Sequence, residues 1–490
     1  MINRRQFLGG SAAFAFPYII PSRVLGAAAP SKLVRVGIIG CGRISRGFEM
    51  HYLLRQPDLC RIVAVCDLDE IRLNAAKAVL ETEYRKRHKI AGYTVKAYKD
   101  YRELCASDEL DAVMVCVPDF WHALCAAEVI LNRKALWLQK PFTQTIREGR
   151  LIANLAKKYN TVVQVGSQQR SAHQFREACE IALNGVLGKI RKVEVGIAID
   201  KEGGSSAVQP VPSTFDYETW LGPTDPTAPY NETRCHCQDI SKVWSRPGWI
   251  QMAPYGWGMI TNWGAHHMDI MQWGLGTTLT GPTKVEGTCA WMDTTGGRLW
   301  NVHTGYDLHY TYGDVDVHVW NKHMKGVKFI GESGDSIFVR REPNKKVTKS
   351  DGGEEPKKKN RKPRDLRALI PSRPEILDFI KSKDKKIALK VSDDHFVNWL
   401  EAVRAEDPTM TVTNAEEGHR STSACSLGHM VMELGRGRKD GFSLNWDPKA
   451  ETTGLAAADA LMEPFARDRF DLRVTLKRFG LDYEKEIRGI

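Results

Sequence analysis

Short apolar runs alternate with helix-periodic segments between residues 33 and 168. The runs at 34–39, 62–66, 112–117, 135–138 and 161–165 predict strands. They are nearly continuous in Val, Ile and Leu, as strands buried on both faces are. Segments 44–55, 70–88, 123–131 and 145–157 repeat their apolar positions at the helical period and predict helices. Strands and helices in alternation define an α/β domain built on a parallel, doubly wound sheet.

The rhythm changes after residue 168. A helix is predicted at 172–183 and a strand at 189–199, and a stretch rich in Pro, Gly and Trp then runs to about residue 255. A helix pattern at about 260–275 precedes alternating strands at 283–292, 301–312, 315–321, 327–330 and 336–341. Consecutive strands joined by short turns predict an antiparallel or mixed sheet. Helices at 394–405 and 415–435 close this second domain, and 446–490 reads as a surface-wrapping tail. A chain of 490 residues is too long for one ordinary domain. The expected division is therefore a leader at 1–29, a nucleotide domain at 33–168, a second domain at 169–445 and the tail.

Composition changes the picture at the N-terminus. Asn3-Arg4-Arg5-Gln6-Phe7-Leu8 is followed by a modest apolar stretch and the small-residue run Gly26 to Ala29. This resembles a twin-arginine export signal, which places the mature protein outside the cytoplasm, in the periplasm or beyond, folded before export. No Cys lies near the cleavage site, which argues against a lipid anchor. No apolar run is long enough to span a bilayer, so stable membrane insertion is not expected.

The net charge of +11 is concentrated. Residues 1–29 carry three Arg and no acid, and residues 340–364 carry eleven Lys and Arg against four acids. That second stretch has no aromatic residue and reads as a solvated insertion rather than a nucleic-acid surface. The eleven Cys are an odd number, and most sit within apolar patterns, so they read as buried thiols. Cys235-His236-Cys237 lacks a second ligand pair at finger-like spacing, and no metal is expected.

The most informative chemistry follows the first strand. Gly40-x-Gly42-x-x-Ser45 sits between that strand and a helix, and Asp67 ends the next strand. This arrangement holds a dinucleotide: Gly40 makes the turn, Gly42 lets backbone approach phosphate, and Arg43 and Ile44 open the helix. Asp67 would accept the adenosine ribose hydroxyls and repel a 2′-phosphate, which favours NAD over NADP. Arg72 nearby keeps NADP open.

Two further segments carry the reaction. One is Pro118, Asp119, Trp121 and His122 with Gln139-Lys140-Pro141 beyond it. The other runs from Gly256 to Asp269 and contains Trp257, Asn262, Trp263, His266 and His267. With the glycine motif, these segments resemble the glucose-fructose oxidoreductase / inositol dehydrogenase / rhizopine-catabolism (Gfo/Idh/MocA) family over roughly residues 33–445. The resemblance implies a Rossmann domain followed by an α+β domain with an open, mostly antiparallel sheet. It implies hydride transfer at a secondary hydroxyl of a sugar, glycoside or cyclitol, and a homodimer or homotetramer formed through the open sheet face.

By the same resemblance, Lys140 contacts the nicotinamide ribose and the substrate, and His266 serves as acid/base with Asp269 on the same helix. Pro118, Asp119, Trp121 and His122 flank the nicotinamide, while Gln168 and Arg170 face the cleft. Two positions depart from the family pattern: Gln139 and Asn262 stand where it usually has Glu and Asp. Neither replacement can accept a proton, though both can orient neighbours by hydrogen bonds.

The residues make chemical sense by themselves. Removing hydride from a carbinol carbon needs a base on the hydroxyl. A partly buried lysine beside a cationic ring has a lowered pKa and can share a proton near neutrality. A continuous helix would place Asn262, His266, Asp269 and Trp273 on one face. Trp244, Trp249, Trp257 and Trp263 offer aromatic walls for sugar faces, and Arg234 and His236 are further candidate contacts. Two activities follow: a dehydrogenase releasing NADH, or a redox-neutral enzyme with tightly held NAD, of the glycoside hydrolase, epimerase or transhydrogenation kind. A non-catalytic sugar-binding protein is a third alternative.

Overall fold

The computed structural model describes residues 33–341 and 367–489. The leader at 1–29 and most of the basic insertion lie outside the described residues.

Six strands form the first sheet: β1 (Val34–Ile39), β2 (Cys60–Cys66), β3 (Lys96–Tyr98), β4 (Ala112–Val115), β5 (Ala135–Leu138) and β6 (Val163–Val165). Their order is β3-β2-β1-β4-β5-β6, and every pairing is parallel. Strand order reverses between β1 and β4, and a crevice opens there at the carboxyl ends of the strands. The interleaved helices are α1 (Met50–Leu53), α2 (Glu70–Lys86), α3 (Tyr101–Cys105), α4 (His122–Leu131) and α5 (Ile146–Lys158). Thr145 and Glu148 form a reciprocal capping box at the start of α5.

Two of these elements were not anticipated. β3 is a short edge strand whose residues are mostly exposed, so it carries no apolar pattern, and α3 is a single short turn beside it. The helix expected at 44–55 is instead a π-helical turn, Ser45–Glu49, running into α1.

The second domain begins with α6 (His173–Leu183) and β7 (Ile190–Gly196). After α7 (Tyr217–Leu221), the expected helix at 260–275 is broken into α8 (Met259–Asn262) and α9 (Gly264–Leu275). The strands β8 (Lys284–Trp291), β9 (His303–Tyr312), β10 (Val315–Trp320), β11 (Gly326–Gly331), β12 (Ser336–Val339), β13 (Leu369–Pro371) and β14 (Phe442–Asn445) complete the second sheet with β7. Its order is β13-β12-β11-β7-β10-β9-β8-β14, and only β7–β10 is parallel among its strand pairs. The second sheet is therefore mixed and mostly antiparallel. Its inner face packs under α9 and α11 (Ala415–Leu434 below), with Leu308, Tyr310, Val317 and Phe329 beside Met268, Met271 and Leu427.

The late helices divide their allegiance. α10 (His395–Ala405) returns to the first sheet rather than closing the second domain. Phe396 stacks on Trp137 at 4.5 Å and 13°, with Trp399 against the same indole. An aromatic pair of this kind adds about 0.5–1.5 kcal/mol beyond the area it buries. α11 (Ala415–Leu434) is buried along nearly its whole length between the two domains. The tail, with α12 (Ala456–Ala460), α13 (Leu472–Arg478) and α14 (Tyr483–Arg488), does more than coat the surface. Phe470, Leu472, Leu476 and Tyr483 join the nucleotide-domain core, and Met462 joins the other.

Candidate active site

The glycine turn sits at the crevice between β1 and β4. Gly40 has φ +91°, and a Cβ there would lie 2.4 Å from the Cys116 carbonyl oxygen, so this crossing admits only glycine. A Cβ on Gly42 would meet no protein atom within 4 Å. Gly42 thus faces open space in a cleft of about 340 Å³. Gly40, Gly42, Arg43, Ile44, Asp67, Pro118, Asp119, Trp121, His122 and Lys140 all line that cleft. Ten residues picked for cofactor contact from four separate segments therefore converge on one groove, and its open glycine turn fits a dinucleotide phosphate.

Asp67 is held by backbone. Its carboxylate accepts the Cys41 N–H at 2.6 Å and the Asp69 N–H at 2.9 Å. Burial pushes its pKa up, against those two bonds. Asp69, not Asp67, caps α2. Arg72 is committed: its guanidinium donates to Asp69 at 2.5 Å and to the Cys237 carbonyl. His236 Nε2 lies 3.1 Å from the same Asp69 carboxylate. Arg72 and His236 thus brace Asp69 beside Asp67, with both terminal nitrogens of Arg72 engaged.

At the opposite end Lys140 precedes a cis Pro141. Its ammonium donates to the Asn262 carbonyl oxygen at 3.0 Å, which ties the first domain to the α8–α9 junction. Burial lowers the Lys140 pKa, and the Asp119 carboxylate opposes that shift. Burial likewise raises Asp119, 5 % exposed, against the Lys140 charge. His122 is structural: its Nδ1 is 2.7 Å from the Pro141 carbonyl and its Nε2 3.1 Å from the Val117 carbonyl. Burial pushes its pKa down to about 4, against the two carbonyl bonds. Trp121 donates to the Trp220 carbonyl at 2.9 Å and forms cleft wall.

The break between α8 and α9 falls at Trp263, so Asn262 and His266 do not share one continuous helix. His266 is half-buried, and its Nδ1 has no hydrogen-bond partner among the described residues. Burial, then the Lys140 and His267 charges, push its pKa well below the usual histidine range. His267 points away, its Nδ1 2.9 Å from the Gly196 carbonyl.

Three assignments need correction. Asp269 is 1 % exposed and both its oxygens are taken by Arg170, at 2.7 and 2.9 Å. Buried against that guanidinium and outside the groove lining, it is out of reach of a substrate. Arg170, expected to face the cleft, is 2 % exposed and also pairs with Glu417 at 2.7 Å. A guanidinium walled in by two carboxylates and the Trp273 ring cannot reach a ligand. Trp257 is buried and stacks on His429 at 4.3 Å, away from the cleft. Trp263 caps α9 with its ring 5.8 Å from that of His266. Trp249 lines the cleft, whereas Trp244 leans over Gly47. Arg234 is held by the Pro229 carbonyl and the Tyr255 hydroxyl.

One site residue escaped notice in the sequence. Glu49 ends the π turn and is fully buried. Its Oε1 accepts the side-chain amides of Gln139 and, at 3.3 Å, Gln168, while Oε2 has no partner among the described residues. Burial pushes its pKa up to about 8. The carboxylate missing from position 139 therefore stands one hydrogen bond further back. The only sequence signal was an acid four residues after Ser45 on the inward face of the helix pattern.

The fold and groove define a dinucleotide-binding protein of the Rossmann class. Residues 34–167 match the oxidoreductase family model for an NAD-binding Rossmann fold, and residues 201–334 match its C-terminal alpha/beta domain. The chain belongs to the Gfo/Idh/MocA oxidoreductase family and carries its NAD-binding domain.

It is 33 % identical over 115 residues to glycosyl hydrolase family 109 protein 2 of Shewanella sp. (strain ANA-3), which covers 24 % of each chain. It is 26 % identical over 184 residues to myo-inositol 2-dehydrogenase of Thermotoga maritima, covering 38 % of this chain and 48 % of that one. The chain thus spans between a quarter and a half of these curated relatives. Among solved structures, the WlbA dehydrogenase of Bordetella pertussis in complex with NADH and UDP-GlcNAcA aligns with TM-score 0.53 at 15 % identity, covering 85 % of this chain and 99 % of that one. GenD2 from gentamicin A biosynthesis, in complex with NAD, aligns with TM-score 0.52 at 16 % identity, covering 85 % and 97 %. These likenesses extend the shared fold across both domains.

Proposed function

We propose that this protein is an NAD-dependent oxidoreductase acting on a secondary hydroxyl of a sugar, glycoside or cyclitol. The observation that carries this reading is the position of Lys140. It lines the same groove as Gly40, Gly42 and Asp67, and its ammonium reaches across to the Asn262 carbonyl beside the helix that bears His266. When bound, the nicotinamide supplies the exchange of hydride with the carbinol carbon. Lys140, with its pKa lowered by burial, shares the hydroxyl proton near neutral pH. His266 stays neutral, and its buried Nδ1 has no hydrogen-bond partner among the described residues. Asn262 and Trp249, which both line the groove, supply a polar contact and an apolar wall for the ring. The likeness to a myo-inositol dehydrogenase supports this substrate class.

The decisive test uses tag-free protein purified without added nucleotide. After denaturation, released nicotinamide nucleotide is measured against protein, and the native protein is assayed with NAD⁺ and a panel of sugars, glycosides and cyclitols. An empty site that binds NAD and produces NADH with one class supports an exchanging dehydrogenase. Absence of nucleotide binding overturns the reading.

A second reading is favoured by one observation, the likeness of part of the chain to glycosyl hydrolase family 109 proteins. Here NAD would stay bound: the sugar hydroxyl is oxidised, the glycosidic substituent leaves by elimination, water adds to the resulting unsaturated keto-sugar, and the hydride is then returned. Near one-to-one nucleotide release, with glycoside cleavage and no net NADH, distinguishes it from the first. Arg4-Arg5 and the small-residue run after Arg23 support export by the twin-arginine route. Export retains cofactor best when the protein folds around it first, which suits this second reading. Replacing both arginines by lysine should hold the protein in the cytoplasm.

A further inference from the structure

We propose that Asp307, His309 and His318, on the outer face of the second sheet, bind a divalent first-row transition metal of the zinc class. The site is built by strand register. β9 and β10 run antiparallel with His309 directly opposite His318. Tyr306, Leu308, Tyr310 and Tyr312 alternate inward along β9, which turns Asp307 and His309 outward together. The two imidazoles stack at 4.3 Å and 9°. Both present Nε2 to the same carboxylate oxygen: Asp307 Oδ1 lies 2.7 Å from His318 Nε2 and 3.7 Å from His309 Nε2.

The donor atoms already stand close to coordination distance. All three lie within 4.8 Å of one another. A tetrahedral zinc, with bonds of about 2.0–2.2 Å, wants its donors roughly 3.4 Å apart. Small side-chain rotations close that gap.

The second ring nitrogens argue most strongly for a metal. His309 Nδ1 is 2.9 Å from Asp316 Oδ1, and His318 Nδ1 is 2.9 Å from His323 Nε2. With both Nε2 lone pairs on a metal, each Nδ1 carries its proton, and each has an acceptor in place. Metal-bound histidines are typically oriented by such partners, which fix the tautomer and raise ligand basicity. Register sets Glu286 beside His309 on β8 and Glu194 beside His318 on β7, each paired with a lysine of its own strand, Lys284 at 2.7 Å and Lys192 at 3.4 Å, so the ion's charge is met by Asp307 itself. Two imidazoles and one carboxylate select zinc-class ions over Mg²⁺ or Ca²⁺, which prefer all-oxygen shells. Three protein donors leave a tetrahedral ion one position for a fourth ligand. The cluster is separated from the cleft by the sheet and the core beneath it.

The test uses tag-free protein stripped with a chelator, then titrated with Zn²⁺ alone by calorimetry and assayed for bound metal after desalting. Wild type should retain one zinc per chain that the His309→Ala/His318→Ala double variant lacks. Asp316→Asn, which leaves all three donors, should weaken the affinity about 10- to 100-fold. Asp307→Asn, nearly isosteric, guards against misfolding of the double variant, and NAD binding should be unchanged in every variant. Co²⁺ should give ligand-field absorption with wild type and not with Asp307→Asn. Equal zinc uptake by wild type and variants would assign the metal to cysteines elsewhere and overturn the proposal, as would no uptake at all.

Discussion

Gln139 bridges Glu49 and Lys140: its side-chain amide donates to the buried Glu49 carboxyl while its side-chain oxygen accepts the Lys140 backbone N–H at 3.1 Å. A neutral residue next to the lysine thereby connects it to an acid that never touches the cleft. Glu49 is a positioning residue in this scheme.

Its elevated pKa makes stability depend on pH with a definite sign. The folded value of about 8 lies above the ordinary 4.5, so folding favours the protonated form. The contribution is complete below about pH 4.5 and is lost as pH rises toward 8. Glu49→Gln should remove that slope. Its denaturation midpoint, relative to wild type, should improve steadily from weakly acidic to weakly alkaline buffer. Parallel curves for the two proteins would show that Glu49 is not protonated in the native state.

Lys140→Ala should keep NAD binding and lose turnover by about 10²- to 10⁴-fold, the usual worth of a general acid–base group. Nucleotide fluorescence titration and steady-state rates separate the two effects. Unchanged turnover would remove Lys140 from the chemistry.

Asp119 holds the Lys140 pKa up through its charge. Asp119→Asn should therefore let the lysine fall further, moving the rising limb of the kcat/KM pH profile to lower pH. A limb that stays in place would show that it belongs to another group.

Asp67→Ala should weaken NAD more than NADP, because only NAD loses a hydrogen-bond acceptor for its ribose without a compensating relief of repulsion. Binding of both nucleotides by calorimetry checks this. Equal losses would mean that Asp67 matters only through the Cys41 and Asp69 backbone bonds it accepts.

Arg170→Ala should destabilise the fold by about 3–5 kcal/mol, since it strands the buried Asp269 carboxylate and leaves Glu417 without its partner. Asp269→Asn should cost stability too, while kcat of the folded fraction stays within a few-fold. A large kcat loss with intact stability would restore a direct role for Asp269.

The nucleotide half was readable because each of its signals is local. β1 and β5 begin and end where the apolar runs do, and the glycine turn and Asp67 follow their strands directly. Strand burial on both faces writes itself into consecutive residues. β3 was invisible for the converse reason, since an exposed three-residue edge strand buries nothing. The second domain was legible as strands in series, but not the parallel β7–β10 contact, which joins segments more than a hundred residues apart.

Sequence alone determined the cofactor class and the cofactor-side residues of the groove, because a glycine turn after a buried strand has few other uses. Tertiary structure decided which charged groups are free to act. Helical spacing set Asp269 beside His266 on paper, yet a guanidinium from another segment occupies both its oxygens. It also decided that Glu49 stands behind Gln139, and that two histidines on neighbouring strands face one aspartate. Ion pairs and buried acids depend on which distant segment arrives in contact, and residue spacing along the chain does not encode that.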